Sequence, residues 1–399
     1  MLLGDLCVGM TETDRAIHHS VHRFASEVMR PAGQILDKLD PDAVIADDSV
    51  LWEVLRQYKD LGLNIVGNGD GDFSPEEQAR LRFITSEELG WGDAGLAISV
   101  GVAEFPSMMA HASGNPELVD MVSDNLTGCW AITEPDHGSD TLDFSGAIKA
   151  PGSSRCRPNV VARLKGDDFV LNGQKSSWVS CGTIAQAAAL FTAVDMGCGE
   201  LVKAVFVVPL DRPGVSRGKP LDKIGQRSLN QGEIFFDDVT IPRSFMAVPP
   251  EGYDDAANLV LTSANTGMGT LFAGLARAAL ELAIDHTKER KQGGVPIIQH
   301  QSVRGWLFEM YRKVEAARSL NRDVVLSNVL NAPRLEYAIA TKVTSTQTAF
   351  EVASEALQIF GGNGTSREYP IEKIFRDARS SMIEDGCNYV LGLIGGSRL

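Results

Sequence analysis

The spacing of apolar residues changes twice along this chain, and these changes limit the folds that it can adopt. From Thr11 onward apolar residues recur at helical spacing, as Ile17, Val21 and Phe24 show. Short apolar or alternating segments between turn residues then predict strands, and helical spacing returns after Pro250. The predicted strands lie at 169–171, 187–194, 204–209 and 233–239, and the predicted long helices at 254–290, 303–326 and 334–360.

This order predicts three domains. The length of 399 residues supports more than one domain, because it exceeds what a single hydrophobic core usually organises. We expect an N-terminal helical domain at 1–125, a middle β-domain at 126–243 and a C-terminal bundle of antiparallel helices at 244–399. The pair Gly361-Gly362 follows the last long helix, where glycine commonly ends a helix.

The composition excludes several classes of protein. A net charge of -15 opposes binding to nucleic acid, because such affinity comes largely from Lys and Arg. The six cysteines lack C-x-x-C spacing, and no further ligand completes a metal site beside His18, His19 and His22. Residues 1–10 have neither the basic flank nor the apolar run of a signal peptide or membrane span. We therefore expect a cytoplasmic protein without a metal ion and without a membrane or nucleic-acid partner.

Two segments of the predicted β-domain contain candidate functional residues. The first, Trp130 to Asp140, has the pattern of a strand that enters a tight polar loop, because proline and glycine follow the hydroxyl of Thr133. In the second, Asn172-Gly173-Gln174-Lys175 predicts a turn ahead of Trp178-Val179-Ser180. A flat heterocycle could lie on the Trp178 ring.

These segments resemble the T-E-P-x-x-G-S-D loop and the N-G-x-K-x-W-I-[S/T] strand of the acyl-CoA dehydrogenase family of flavoproteins. The resemblance implies an α+β multidomain fold with an N-terminal helical domain, a middle β-barrel-like domain and a C-terminal four-helix bundle. It also implies that FAD is the cofactor. The implied contacts to FAD in these segments are the Trp178 ring face, the hydroxyls of Thr133 and Ser180, and Trp130 and Ser139, with Ser139 also near the substrate.

Further matches to the family lie far away in the sequence. Glu289-Arg290-Lys291, with Gln301 ten residues later, resembles the segment that meets the diphosphate and adenine of the cofactor. The segment from Gln358 to Gly364 resembles the one that reaches the flavin nucleotide of a neighbouring subunit, where glycines let the backbone approach closely. The resemblance therefore implies a homotetramer, or at least a dimer. It implies FAD contacts from Arg290, Gln301, Gln358, Gly361 and Gly362.

The C-terminal part both matches the family and departs from it. Matching Arg376-Asp377-Ala378-Arg379 without a gap places Asp385 at the position of the catalytic base, and a gap of one residue would place Glu384 there. Near the start of the first C-terminal helix, where many members carry an Arg or an alternative catalytic Glu, this chain has Ala264 and Asn265. We expect Asp385 or Glu384 to act as the base. We expect substrate contacts from Ser139, Asn265 and Gly386.

The resemblance implies an FAD-dependent oxidoreductase that removes an α-proton and a β-hydride from an acyl thioester. The acyl group would be carried by coenzyme A or a carrier protein, and the electrons would pass to an electron-transfer flavoprotein. Two alternatives stay open. An aspartate base is typical of nitroalkane oxidases, which resemble this family, so a flavin oxidase or monooxygenase of the same fold also fits. A non-catalytic subunit of a hetero-oligomeric dehydrogenase, whose companion holds the usual glutamate, is the other alternative.

Overall fold

The computed structural model of the protein describes residues 10–62, 73–122, 126–143 and 157–399. Helices precede and follow a central sheet, which confirms the fold class expected from the sequence. The described N-terminal helices are α1 (Glu12–Phe24), α2 (Arg30–Leu36), α3 (Pro41–Val44), α4 (Val50–Asp60), α5 (Pro75–Gly92), α6 (Ala94–Ala103), α7 (Phe105–Ser113) and α8 (Pro116–Met121). The C-terminal helices are α9 (Tyr253–Glu289), α10 (Gln301–Leu330), α11 (Leu335–Phe360), α12 (Pro370–Ser381) and α13 (Asn388–Gly396).

Local signals begin two of the N-terminal helices. The Thr11 hydroxyl accepts from the Asp14 N–H, and the Asp14 carboxylate accepts from the Thr11 N–H, so this pair forms a capping box ahead of α1. Ser74 and Glu77 form the same arrangement ahead of α5, with Pro75 as its first residue. Both helices therefore begin where the sequence predicts.

The central sheet combines antiparallel and parallel pairs. Its strands follow the order β6-β7-β3-β2-β4-β5-β8, and β1 pairs with β4 in parallel. The strands are β1 (Gly128–Ala131), β2 (Val161–Lys165), β3 (Asp168–Lys175), β4 (Ala187–Asp195), β5 (Leu201–Pro209), β6 (Val215–Arg217), β7 (Ile234–Pro242) and β8 (Met246–Val248). A separate small hairpin pairs β9 (Lys291–Gln292) with β10 (Val295–Pro296). Because β1 lies next to β4, the loop that follows Ala131 starts beside the buried centre of the sheet.

The N-terminal and C-terminal helices share one hydrophobic core, and two glycines bring α5 and α9 together. A Cβ atom at Gly90 would lie 2.0 Å from the Leu271 carbonyl oxygen, and one at Gly274 would lie 2.0 Å from that of Glu87. Any side chain at either position would therefore separate the two helices. By length and composition the helical segment 250–289 could span a membrane, but 78% of its apolar window is buried inside the protein.

Charged side chains are also buried at this contact between helices. Arg277 Nη2 of α9 lies 2.7 Å from Glu88 Oε1 of α5, and His18 and His22 of α1 bind the same carboxylate at 2.9 and 2.7 Å. The charge of the buried carboxylate is thereby balanced, which a buried carboxylate requires. The two histidines that sequence analysis considered as metal ligands thus help to pack α1 on α5.

Candidate active site

A buried ion pair connects the two sequence motifs of the sheet. The Glu134 carboxylate, in the loop after β1, lies 2.7 Å from the ammonium group of Lys175 at the end of β3. Lys175 also donates to the carbonyl oxygens of Ile132 and Phe191, so each of its three protons has an acceptor. Neither side chain was predicted to have a role, although a lysine that ends one strand and a glutamate soon after another are a signal that sequence analysis could have used.

The structure brings Thr133, Trp178 and Ser180 together, as the resemblance implies. The Ser176 N–H donates to the Thr133 carbonyl at 2.9 Å, which joins the loop after β1 to the segment after β3. The Gln231 amide donates to the Trp178 carbonyl at 3.1 Å and to the Ser180 hydroxyl at 3.2 Å. These hydrogen bonds fix the backbone around Trp178, while its ring remains 56% exposed.

A tight turn after α12, residues 382–386, contains both candidate bases, and we call it the base turn. Asp385 and Gly386 have φ angles of 49° and 99°, and a Cβ at Gly386 would lie 2.7 Å from the Leu142 side chain. The Lys342 ammonium group donates to the Gly386 carbonyl at 2.8 Å, and the Cys387 N–H donates to the Ser139 hydroxyl at 3.0 Å. The turn is thus held by α11 on one side and by the loop after β1 on the other.

Asp385 lines a central cavity of about 440 Å³, which we call the central cavity. Helices α5, α6, α7, α9 and α10 and strand β1 form its walls, so it lies between the N-terminal and C-terminal helices. Most of its surface is apolar, as is usual for a site that holds a small ligand. Apolar residues in its walls include Leu89, Ile98, Phe105, Met268, Leu271 and Val325.

The two candidate bases face different surroundings. Glu384 is not part of the cavity wall, and its Oε1 accepts from the Gln226 side-chain amide at 2.5 Å. Burial and the neighbouring Asp385 raise the pKa of Glu384 to about 7. Burial also raises the pKa of Asp385, and the ammonium group of Lys342 opposes this rise. Of the two candidate bases, only Asp385 lines the cavity.

Residues 223–228, to which sequence analysis gave no role, connect two parts of the site. In the structure the Lys223 ammonium group donates to the Gln231 side chain at 2.8 Å, and Gln231 binds Trp178 and Ser180. Because Gln226 in the same segment binds Glu384, one hydrogen-bonded loop connects the Trp178 region to the base turn. Burial lowers the pKa of Lys223 to about 8, while the charge of Glu384 opposes this change.

The three residues expected to contact substrate lie in different places. Ser139 binds the base turn, and the Gly386 carbonyl is bound to Lys342. Asn265 is fully buried in α9, where its amide donates to the Leu261 carbonyl at 3.0 Å, and it is not part of the cavity wall. Its neighbours Ala264 and Ser263 line the cavity instead, because successive side chains on a helix point about a hundred degrees apart.

A second group of residues that were expected to contact FAD lies at one end of the C-terminal helices. Arg290 directly follows α9, Gln301 begins α10 and Gln358 lies in the last turn of α11, and all three are exposed. Stacking of His286 on Phe360, with ring centroids 4.0 Å apart, places the ends of α9 and α11 side by side. Lys342 binds the base turn 18 residues before Phe360, which corresponds to about 27 Å along α11.

The residues present fit FAD. The Trp178 ring offers an accessible flat face, and the buried Trp130 Nε1–H has no hydrogen-bond partner among the described residues. Gly361 has a φ angle of 62°, which favours glycine, and a Cβ at Gly361 or Gly362 would meet no atom within 4 Å. A flat ring and a phosphate-bearing chain are the kinds of group that such surfaces can hold.

Comparison with known proteins relates most of this chain to one family. Residues 129–239 match the family model of the acyl-CoA dehydrogenase middle domain, and residues 252–399 match that of the C-terminal domain. The short-chain specific acyl-CoA dehydrogenase of Megasphaera elsdenii is 31% identical over 91% of this chain and 94% of its own length. The human mitochondrial short-chain specific enzyme is 30% identical over 68% of this chain, and the match spans 62% of the human protein. The structure of butyryl-CoA dehydrogenase from Megasphaera elsdenii is similar, with a TM-score of 0.81 and 26% identity, over 98% of this chain and 99% of that chain.

Proposed function

Because this chain belongs to the acyl-CoA dehydrogenase family of FAD-dependent oxidoreductases, we propose that it catalyses α,β-dehydrogenation of an acyl-CoA thioester. We also propose that the electrons pass to an electron-transfer flavoprotein. The position of Asp385 carries the proposal. This residue lines the central cavity, on a turn that Ser139 joins to the loop after β1.

Asp385 would accept the α-proton of the substrate. A carboxylate in a mainly apolar cavity is a stronger base than one in water, and burial does raise the pKa of Asp385. Lys342 limits this rise, so that the carboxylate can still ionise, and it holds the Gly386 carbonyl, which orients the turn. Asp is one methylene shorter than Glu, so the substrate or the backbone must lie closer to it than a glutamate would require.

Bound FAD would supply the acceptor for the β-hydride. Trp178, Thr133 and Ser180 would hold its ring system, because their backbones are joined by the hydrogen bonds of Ser176 and Gln231. Trp130 would offer its indole N–H. The helices that surround the cavity would exclude water from it, which strengthens the effect of each fixed charge and dipole.

We further propose that the chain associates with copies of itself. The segment around Gly361 lies about 27 Å along α11 from the level of the base turn, and it is exposed. This separation supports a role for Gln358, Gly361 and Gly362 at the FAD of a neighbouring subunit. Light scattering of the purified protein tests the proposal, and a monomer that retains FAD would contradict it.

A flavin oxidase of the same fold is the second candidate, and the aspartate at the cavity favours it. The two functions differ in what reoxidises the flavin. An oxidase would release peroxide at the rate of substrate turnover in air, whereas a dehydrogenase would reduce an electron-transfer flavoprotein and react slowly with oxygen. We favour a catalytic chain over a non-catalytic subunit, because Asp385 offers a base to the cavity.

The deciding experiment is an anaerobic titration of the purified yellow protein with a panel of acyl-CoA thioesters of different length and branching. We expect at least one thioester to bleach the flavin in a single turnover. The same thioester should then reduce an added electron-transfer flavoprotein under air-free conditions. If no member of the panel bleaches the flavin, the proposed dehydrogenation is wrong.

A further inference from the structure

The central cavity contains a second carboxyl group, which the proposed reaction does not use. Glu104 lies between α6 and α7 and lines the cavity together with Thr85 of α5. Both Glu104 Oε1 and Thr85 Oγ1 are buried, and neither has a hydrogen-bond partner among the described residues. Buried polar atoms are rarely left unpaired, because each loses its hydrogen bonds to water. These two atoms therefore indicate a ligand group that forms hydrogen bonds with them.

Three other hydroxyl groups of the same cavity do have partners. Thr262, Thr266 and Thr270 of α9 also line it, and each donates to the backbone carbonyl four residues earlier, at 2.7, 2.8 and 3.0 Å. The two unpaired oxygens belong instead to the wall that the N-terminal helices provide. The other unpaired polar atom of the cavity wall among the described residues is the indole N–H of Trp130, which is proposed above to bind FAD.

The charges around this wall restrict the chemistry of the ligand group. Glu104 would repel a carboxylate, while Arg82, which lines the same cavity, would repel an ammonium group. Burial raises the pKa of Glu104 to about 7, with Lys59 opposing the change, so near neutral pH the carboxyl can either accept or donate a hydrogen bond. A neutral hydroxyl group can both donate to Glu104 and accept from Thr85.

We propose that the central cavity selects an acyl thioester whose acyl group carries a hydroxyl, which is hydrogen-bonded by Glu104 and Thr85. This inference rests on the proposed thioester dehydrogenation and specifies its substrate class. The cavity volume of about 440 Å³ lies in the range of small-molecule pockets, so it has room for a substituted acyl chain. The surrounding apolar walls hold the hydrocarbon part, and the polar pair distinguishes a hydroxylated chain from a plain one.

The test compares hexanoyl-CoA with the positional isomers of hydroxyhexanoyl-CoA that carry the hydroxyl beyond the β-carbon. Dissociation constants are measured by calorimetry on the Asp385→Asn holoprotein, in which turnover should not consume the ligand. We expect at least one hydroxylated isomer to bind about tenfold more tightly than hexanoyl-CoA, the effect of pairing a buried polar group. Equal or tighter binding of hexanoyl-CoA compared with every isomer would overturn the inference.

Second substitutions in the same background identify the residues responsible. Thr85→Val, which keeps the shape of the side chain, and Glu104→Leu should each remove the preference, whereas Glu104→Gln should keep it. Thr262→Val is the matched control, because it removes a cavity hydroxyl that already has a partner, and the preference should persist. A preference that persists in Thr85→Val and in Glu104→Leu would overturn the assignment.

The two proposals can fail separately. Flavin reduction by plain acyl-CoA thioesters, without any preference for a hydroxyl, would keep the dehydrogenation and overturn the hydroxyl selectivity. A hydroxyl preference in binding without reduction of the flavin by any thioester would keep the selectivity of the cavity and overturn the dehydrogenation.

Discussion

The hydroxyl of Ser139 accepts a hydrogen bond of 3.0 Å from the backbone N–H of Cys387. These residues lie 248 positions apart in the sequence, one in the loop after β1 and the other directly after the base turn. The contact joins the segment expected to hold the flavin to the segment that contains Asp385. The distance between cofactor and base therefore depends on a single side-chain acceptor as well as on the packing of the helices.

Ser139→Ala should slow flavin reduction while the protein keeps its FAD. The substitution leaves the Cys387 N–H without this acceptor and loosens the base turn, at a cost of about 1 kcal/mol in the free energy of unfolding. We expect single-turnover reduction to fall about fivefold, the scale of that energy. Thr141→Val is the control, since the Thr141 hydroxyl binds the Gly138 carbonyl in the same loop and not the turn. A native reduction rate in Ser139→Ala would show that the contact has no positioning role.

Trp178→Ala should weaken FAD retention and change the visible flavin spectrum. The ring is 56% exposed and makes little contribution to the core, so the sheet should remain folded, as far-UV circular dichroism can check. Loss of an aromatic stacking partner commonly costs about 1 kcal/mol or more. Trp306→Ala offers a matched control, because Trp306 is a 46% exposed tryptophan on α10. Equal FAD content and spectra in the two variants would remove Trp178 from the site.

The stability difference between Glu384→Gln and the native protein should depend on pH. In the folded state the pKa of Glu384 rises from its ordinary value of 4.5 to about 7. Between these values the folded state binds the proton more tightly than the unfolded state, so the stability that this group contributes is full at low pH and is lost as pH rises. The Glu384→Gln variant does not lose stability in this way, because glutamine does not ionise. As pH rises from 4.5 to about 7, the free energy of unfolding of the variant, measured with urea, should therefore increase relative to that of the native protein, by on the order of 3 kcal/mol. A constant difference would contradict the shift.

Much of the fold could be predicted because its elements have local signals. The capping residues Thr11 and Ser74 mark helix starts, and the helix predicted at 254–290 is observed as Tyr253–Glu289. Such signals depend only on neighbouring residues, so they are present in the sequence itself. The motif segments also came together as the resemblance implied, because Ser176 joins Thr133 to the Trp178 segment.

Contacts between distant segments could not be predicted in the same way. Periodicity indicates which face of an element is buried but not which partner it meets, so the pairing of Glu134 with Lys175 was missed. A one-residue difference in helical position turns a side chain by about a hundred degrees, which is why Asn265 lies in the helix core rather than at the cavity. The role proposed for Glu104 has no sequence signal, because it depends on how α5, α6 and α7 pack around the central cavity.

The two candidate bases, Asp385 and Glu384, make the sharpest prediction, because only Asp385 lines the central cavity. Asp385→Asn should retain FAD and bind acyl thioester, but its flavin reduction should fall by at least about a hundredfold, the scale of a lost general base. Glu384→Gln should stay within a few-fold of native, because glutamine can still bind Gln226 with its carbonyl oxygen.

Single-turnover reduction of the two variants by the same thioester decides between these residues. In the native protein the rate should also rise with pH as Asp385 ionises, and because burial raises the pKa of Asp385, this rise should occur above the ordinary range for aspartate. The Asp385→Asn variant should lose that dependence together with most of its rate. Glu384→Gln should keep both the rate and its rise with pH. The reverse pattern, a slow Glu384→Gln and a nearly normal Asp385→Asn, would assign the base to Glu384 and require the turn to rotate when substrate binds.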